Sequence, residues 1–207
     1  MTGRVDRNAV TMVAIRGVLA QRPGSRDVRW IGGDAAVVRA GGYAAVSTDV
    51  RVDGTHFRVA VFTNLSRDHL DHHADMAAYF QAKAMLFEPD RCELAVLCTD
   101  DPHGRLLLDA ALVPSIGYGI ADATDLEISE TGSRFTWRGV AMAIALPGRF
   151  NVLNALAAAT VAAHLGVPPE VIAAGLADVS SIPGRFELVH EGQPFVAAVD
   201  FAHTPDG

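Results

Sequence analysis

The sequence predicts an α/β fold: a mostly parallel sheet with helices and a small antiparallel hairpin, preceded by a short α+β segment. Three observations carry this expectation. Val59-Ala-Val-Phe-Thr63 and Ala95-Val-Leu-Cys98 are short, continuous apolar runs, the pattern of strands covered on both faces. Longer segments of helical composition lie between and after them. Asp125 to Ser129 and Arg134 to Trp137, with the turn pair Thr131-Gly132 between, read as antiparallel strands.

The elements follow in order. Val28 to Ile31, Ala36 to Arg39 and Tyr43 to Thr48 are strand material, and Val59 to Thr63 is a buried strand. From about residue 74 to 87 the apolar positions Met76, Tyr79, Phe80, Ala82, Ala84 and Phe87 fall near a helical period. Ala95 to Cys98 is the next strand. Asp100-Asp101 with Gly104 forms a turn into a short helix through Leu112, and Ser115 to Gly119 is another strand. After the hairpin, Ala141 to Ala145 adds a third strand. Phe150 to Leu165 and Pro168 to Leu176 are helices separated by Gly166, the first expected to be buried and amphipathic, and Val196 to Asp200 is a last buried strand.

Bulk properties bound the function. Half of the 207 residues are hydrophobic, enough for a sizeable core in one large or two small domains. The net charge is -7, from 17 basic and 24 acidic residues, and no basic stripe suggests nucleic acid. Cys92 and Cys98 have no metal-binding neighbours in sequence and read as reduced core thiols. Nothing calls for a membrane span or an export signal, so a cytoplasmic globular protein is expected. There is no repeat or low-complexity linker.

The most chemical stretch is Phe62-Thr-Asn-Leu-Ser-Arg-Asp-His-Leu-Asp-His-His73, followed by Lys83 on the predicted helix. It places Asn64, Asp68, His69, Asp71, His72 and His73 beyond a strand's carboxyl end, where open α/β sheets bind ligands. Lys83 suits either of two tasks. As an ammonium it is a point charge for phosphate; as a shielded neutral amine it can take up carbon dioxide and become an oxygen ligand for Mg²⁺. Plainer readings stand beside these. Asp68 and Asp71 suit the cap of the following helix, His72 and His73 suit solvent, and a lone lysine commonly snorkels along an apolar helix. Asn151 and Asn154, three apart on one helix face, also suit helix-start groups serving backbone donors.

Phe62 to Phe87 resembles the central-domain signature of the Mur ligase family, in particular the branch that adds the third peptide residue to a UDP-MurNAc-dipeptide. Leu146-Pro-Gly-Arg-Phe-Asn-Val-Leu-Asn154 resembles the family's glycine-then-Asn-x-x-Asn helix. Ile182-Pro-Gly-Arg-Phe-Glu187 and Val199-Asp-Phe-Ala-His-Thr-Pro-Asp206 resemble its passage into the C-terminal domain. The resemblance covers about residues 52 to 207. It implies an ATP-dependent ligase of peptidoglycan precursor synthesis, in which ATP phosphorylates a substrate carboxylate and an amino acid displaces the phosphate. Its partners are then UDP-MurNAc-peptide and amino acid substrates, and its cofactors ATP and Mg²⁺. By the resemblance His69 is a Mg²⁺ ligand, Lys83 is carbamylated and helps hold a second metal, Asn151 and Asn154 face the adenine, and Arg185, Asp200 and His203 contact the nucleotide. The implied organisation is residues 57–183 as part of the central domain and 184–207 as the junction and start of the C-terminal domain.

Two departures matter. The 207 residues contain no Gly-x-x-Gly-Lys-Thr type phosphate loop, and the family's acceptor domain is not written after the junction, so the chain as given is expected to be inactive. Residues 1–56 also read as something else. Ile31-Gly-Gly-Asp-Ala-Ala-Val-Val38 and Ala45-Val-Ser-Thr-Asp49 through Gly54-Thr-His-Phe57 resemble the N-terminal part of thiamine-monophosphate kinase and its aminoimidazole-ribotide-synthetase-like relatives. That resemblance implies Asp34, Ser47, Thr48 and Asp49 as Mg²⁺ or nucleotide ligands and His56 at a substrate phosphate, with Gly33 standing where the first of the paired aspartates is expected. A truncated or chimeric chain is the expectation. So is self-association through a sheet edge left uncovered before Val59.

Overall fold

The computed structural model describes residues 27–30, 36–39, 43–46, 56–65, 75–180, 182, 187–189, 191–195 and 197–199, the first three segments as backbone strands. Six strands form the main sheet in the order of the chain: β1 (Asp27–Trp30), β2 (Ala36–Arg39), β3 (Tyr43–Val46), β4 (Val59–Phe62), β5 (Ala95–Cys98) and β6 (Ser115–Tyr118). β1, β2 and β3 pair antiparallel. From β3 to β6 every pairing is parallel.

Strand order that advances in one direction, with right-handed crossovers, places the connecting helices on one face. Helices α1 (Met76–Ala84), extended by a 3₁₀ turn at Met85–Phe87, and α2 (Pro102–Asp109) make those connections. Asp75 starts α1, its Oδ1 accepting from Ala78 N at 2.8 Å, so the capping carboxylate lies later than Asp68 or Asp71. Asp101 does the same for α2, accepting from His103 N, with Pro102 in the first turn, where its missing N–H costs nothing.

β4 and β5 are buried along their whole length, and their side chains divide between two cores. Ala60, Phe62, Ala95 and Leu97 pack with Tyr79, Phe87 and Leu107 under α1 and α2. Val59, Val61, Val96 and Cys98 point the other way, into a core with α3 (Arg149–His164), α4 (Pro169–Ala177) and a small sheet. Residues 151–162 of α3 are all buried, so the expected amphipathic helix is instead enclosed on every side. Its run of alanines lets neighbours approach closely, and burial all round follows from a sequence without a polar stripe.

The small sheet is β7 (Thr124–Ser129), β8 (Gly132–Trp137) and β9 (Val140–Ile144), all antiparallel. Arg138 and Gly139, both at positive φ (49° and 78°), make the tight β8–β9 turn. Phe135, Trp137, Met142 and Ile144 face the α3–α4 core. A separate hairpin pairs β10 (Glu187–Val189) with β11 (Ala197–Val199). β10 is an addition to the expected elements. β11 is no buried strand, since Ala198 and Val199 are exposed.

The edge expected to lie open before Val59 is closed. β3 hydrogen-bonds alongside β4, so the sheet crosses the anticipated boundary at residues 56 and 57, and the self-association argued from an exposed β4 loses its basis.

Two tests follow from the packing. A Cβ on Gly104 would stand 1.9 Å from the Cys98 carbonyl oxygen, so α2 rests directly on the end of β5. Gly104→Ala is expected to lower unfolding stability by about 1–3 kcal/mol in urea denaturation, because backbone must move. Cys92 and Cys98 are free and buried, and burial pushes the Cys92 thiol up from 9.0 to about 11. The neutral thiol is therefore favoured by the fold. Its contribution is complete below pH 9.0 and lost as pH rises toward 11, so stability should decline across that window, and both thiols should react with Ellman's reagent only on unfolding.

Candidate functional site

The carboxyl ends of β4, β5 and β6 bring together most of the polar chemistry among the described residues. β4 ends in Thr63 and Asn64, whose side chains touch at 3.3 Å. β5 ends in Thr99, Asp100 and Asp101. Thr99 binds the β6 terminus twice, its N–H and its hydroxyl both donating to Tyr118 O at 2.8 and 3.0 Å. Tyr118 OH donates in turn to Phe62 O at 3.4 Å, so the three strand ends are tied across their tops.

The two aspartates face opposite sides. Asp101 Oδ2 accepts from Leu65 N at 3.1 Å, holding the chain as it leaves β4. Its Oδ1 accepts from His103 N at 2.8 Å and lies 3.3 Å from His103 Nδ1. The His103 ring packs on Phe80 of α1, with centroids 4.9 Å apart. Asp100 Oδ1 accepts from Ile120 N at 3.2 Å, after β6, and Oδ2 pairs with Arg149 Nη2 at 3.1 Å, at the start of α3. Gly119 permits this: a Cβ there would meet Asp100 Oδ1 at 2.6 Å and Thr99 Oγ1 at 2.8 Å.

Lys83 lies one turn beyond Tyr79 on α1, and both are buried. Its Nζ stands 4.7 Å from the Tyr79 ring centroid, a cation–π distance. Burial of Lys83 fits the second of its two expected tasks, which needs a shielded amine.

Asn151 and Asn154 are buried in the first turns of α3, at 3 % and 1 % exposure, among apolar neighbours. Neither caps the helix. Gly148, at φ 96°, is the N-cap without a side-chain bond, and Asn151 Nδ2 donates backward to Pro147 O at 2.6 Å. That fixes the amide, and it leaves Asn151 Oδ1 buried with no donor. A buried acceptor without a partner is costly. It matches a ligand that presents an N–H donor, such as the amino group of adenine.

Of the other expected site residues, His69, Arg185, Asp200 and His203 lie outside the described residues, as do Asp34, Ser47, Thr48, Asp49, Asp68, Asp71, His72 and His73. His56 is described and exposed. No group of three or more His, Cys, Asp or Glu that could hold a metal occurs among the described residues. No helix among them is long and apolar enough to cross a membrane. An open groove at the tip of the small sheet, lined by Glu127, Ser129, Ser133, Arg134, Ile144 and Ala177, contains none of the expected site residues.

Asp100 and Asp101 are polar groups that sequence reasoning passed over as turn residues, and Arg149, within the Asn-x-x-Asn helix motif, was given no role. The signal for the two aspartates was a carboxylate pair followed by proline at the end of a buried strand.

Comparison with known proteins identifies a family. The Mur ligase middle domain matches residues 32–162. The UDP-N-acetylmuramoyl-L-alanyl-D-glutamate–2,6-diaminopimelate ligase of Streptomyces coelicolor is 44% identical over 191 residues, covering 83% of this chain and 38% of the relative. The ligase of the same name from Solibacter usitatus is 47% identical over 170 residues, 75% of this chain and 34% of the relative. The UDP-N-acetylmuramyl-tripeptide synthetase of Roseiflexus is 39% identical, covering 87% and 40%. The chain thus spans about two-fifths or less of the length of these relatives. Among solved structures, a UDP-N-acetylmuramoyl-L-alanyl-D-glutamate–2,6-diaminopimelate ligase superposes with a TM-score of 0.60 at 30% identity, over 75% of this chain and 35% of that one. MurC of Thermotoga maritima, at 19% identity and a TM-score of 0.64, covers 100% of this chain and 50% of its own and shares the fold. The thiamine-monophosphate kinase resemblance finds no support here, and the middle-domain match begins inside the segment that carried it.

The Asn151 geometry predicts a measurable asymmetry. Asn151→Ala removes the bond to Pro147 O and should cost about 1–3 kcal/mol in chemical denaturation. Asn151→Asp, which offers no amide donor to that carbonyl, should cost at least as much.

Proposed function

Because the chain belongs to the Mur ligase family through its middle domain, we propose that it forms the adenine- and lysine-bearing part of an ATP-dependent ligase of peptidoglycan precursor synthesis. The reaction joins an amino acid to a UDP-MurNAc-dipeptide. The observation that carries this reading is the middle-domain match itself, which spans both Lys83 and the Asn151-x-x-Asn154 turn. The Streptomyces coelicolor and Solibacter usitatus relatives are named for 2,6-diaminopimelate, and that is the amino acid we assign as third residue. A cytoplasmic location goes with nucleotide substrates of this kind.

The residues divide the work. Asn151 and Asn154 hold the adenine, with the unpaired Asn151 Oδ1 supplying the acceptor that an exocyclic amine needs. Bound ATP supplies the phosphoryl group that activates a carboxylate. Lys83 is assigned to the phosphate side by family resemblance. Its neutral amine would add to the carbon of carbon dioxide and release a proton to water, and the carbamate so formed would supply an oxygen ligand suited to Mg²⁺. His69 is assigned as the companion ligand, and Arg185, Asp200 and His203 as nucleotide contacts, all by family resemblance. Buried, fixed donors and acceptors in such a place hold the nucleotide without reorganising during reaction.

The 207 residues include no Gly-x-x-Gly-Lys-Thr loop, so phosphate contacts are sparse and binding is expected to be weak. Titration of the chain with a fluorescent N-methylanthraniloyl-ATP (mant-ATP) and Mg²⁺ should give saturable binding. Asn154→Ala should weaken it about tenfold, the loss of one well-placed buried hydrogen bond. Lys83→Ala should abolish only the Mg²⁺-dependent part of the affinity. No saturation by wild type, or affinity indifferent to both substitutions, would count against the reading.

A further inference from the structure

We infer that Asp100 and Asp101 are positioning residues, setting the adenine helix α3 and the lysine helix α1 on opposite sides of one strand end. This inference rests on the ligase reading above. The geometry that suggests it is independent of that reading. Two adjacent carboxylates at the end of the buried strand β5 use all four oxygens on groups from other elements or from the start of the next helix.

Asp101 serves the lysine side. One oxygen holds Leu65 N, the last described residue after β4, and the other holds the first turn of α2 at His103 N. His103 extends the contact, since its ring rests on Phe80, one turn from Lys83 on α1. The Asp101 side chain is only 12% exposed, so its bonds are poorly replaced by water. The position of α1 over the sheet is thereby tied to the end of β5.

Asp100 serves the adenine side. It binds Ile120 N beyond β6 and the Arg149 guanidinium two residues before Asn151. The Arg149 side chain is 61% exposed, and an ion pair of that kind adds little to stability. What it fixes is placement: the first turn of α3 starts with a glycine N-cap that offers no side-chain bond, and Arg149 adds a polar tie between that turn and the strand end to the apolar packing of α3 on β5. A Cβ on Gly119 would crowd the Asp100 carboxylate.

The expected result is a separation of effects in the full chain. Carbamate on Lys83 is read as a ¹³C resonance after supply of ¹³C-bicarbonate, with Lys83→Ala assigning the signal, and adenine binding is read with mant-ATP. Asp100→Asn should weaken mant-ATP binding at least about fivefold while keeping the carbamate signal and a melting temperature within about 3 °C of wild type. Asp101→Asn, whose new amide opposes Leu65 N, should lose the carbamate signal while mant-ATP affinity stays within twofold of wild type, about 0.4 kcal/mol. If wild type gives both signals and each variant loses both or neither, the inference fails alone. If wild type gives neither, the ligase reading fails and takes this inference with it. If wild type gives one signal, the variant on that side decides in the same way.

Discussion

The whole arrangement depends on the complete burial of two short strands. β4 and β5 have no water on either face, so their backbone groups must pair with neighbouring strands and their side chains must be covered twice over. That single demand explains the rest of the layout. It calls for β3 and β6 as flanking strands, for α1 and α2 on one face, and for α3 with the small sheet on the other. It also explains why α3 is apolar all round, because it lies between the main sheet and the elements beyond it.

The same burial drives polar chemistry to the strand ends. Inside the sheet, Val, Ala, Leu and Cys leave no room for charge. Immediately beyond β5 come Thr99, Asp100 and Asp101, and each finds partners on neighbouring elements. Asn151 and Asn154 depart from this, polar groups embedded with Thr160 in the apolar helix. Asn151 carries an acceptor with no donor, a cost that a ligand can offset. On the proposed ligase reading, the residues assigned to the nucleotide and the metal are divided between α1 and α3, on opposite faces of the sheet.

Much of this was legible in the residues themselves. Ala36–Arg39 and Ala95–Cys98 have the limits expected from their apolar runs, and the β7–β8–β9 meander follows from Thr131-Gly132 and Arg138-Gly139 as turn chemistry. β10 escaped because Glu187-Leu-Val189 is too short to show a period, and its pairing with β11 is made across a loop. The closure of the β4 edge by β3 could not be read either, since register between non-adjacent segments is a tertiary fact. Lys83 and the two asparagines stood out by motif, but motif does not reveal that Asn151 bonds backward to Pro147 O rather than capping the helix. Asp100 and Asp101 looked like turn residues and nothing more. Their partners at Leu65, Ile120 and Arg149 are 36, 20 and 49 positions away.

The central claim is that the first turns of α3 receive an adenine. It is tested most directly by adding adenosine to the ¹⁵N-labelled chain and following side-chain amides by NMR. The account predicts that the Asn151 and Asn154 amide resonances and the α3 first-turn backbone shift together and saturate, while the tip of the small sheet stays still. Shifts confined to the groove at Glu127, Ser133 and Arg134, or none at the two asparagines, would contradict it.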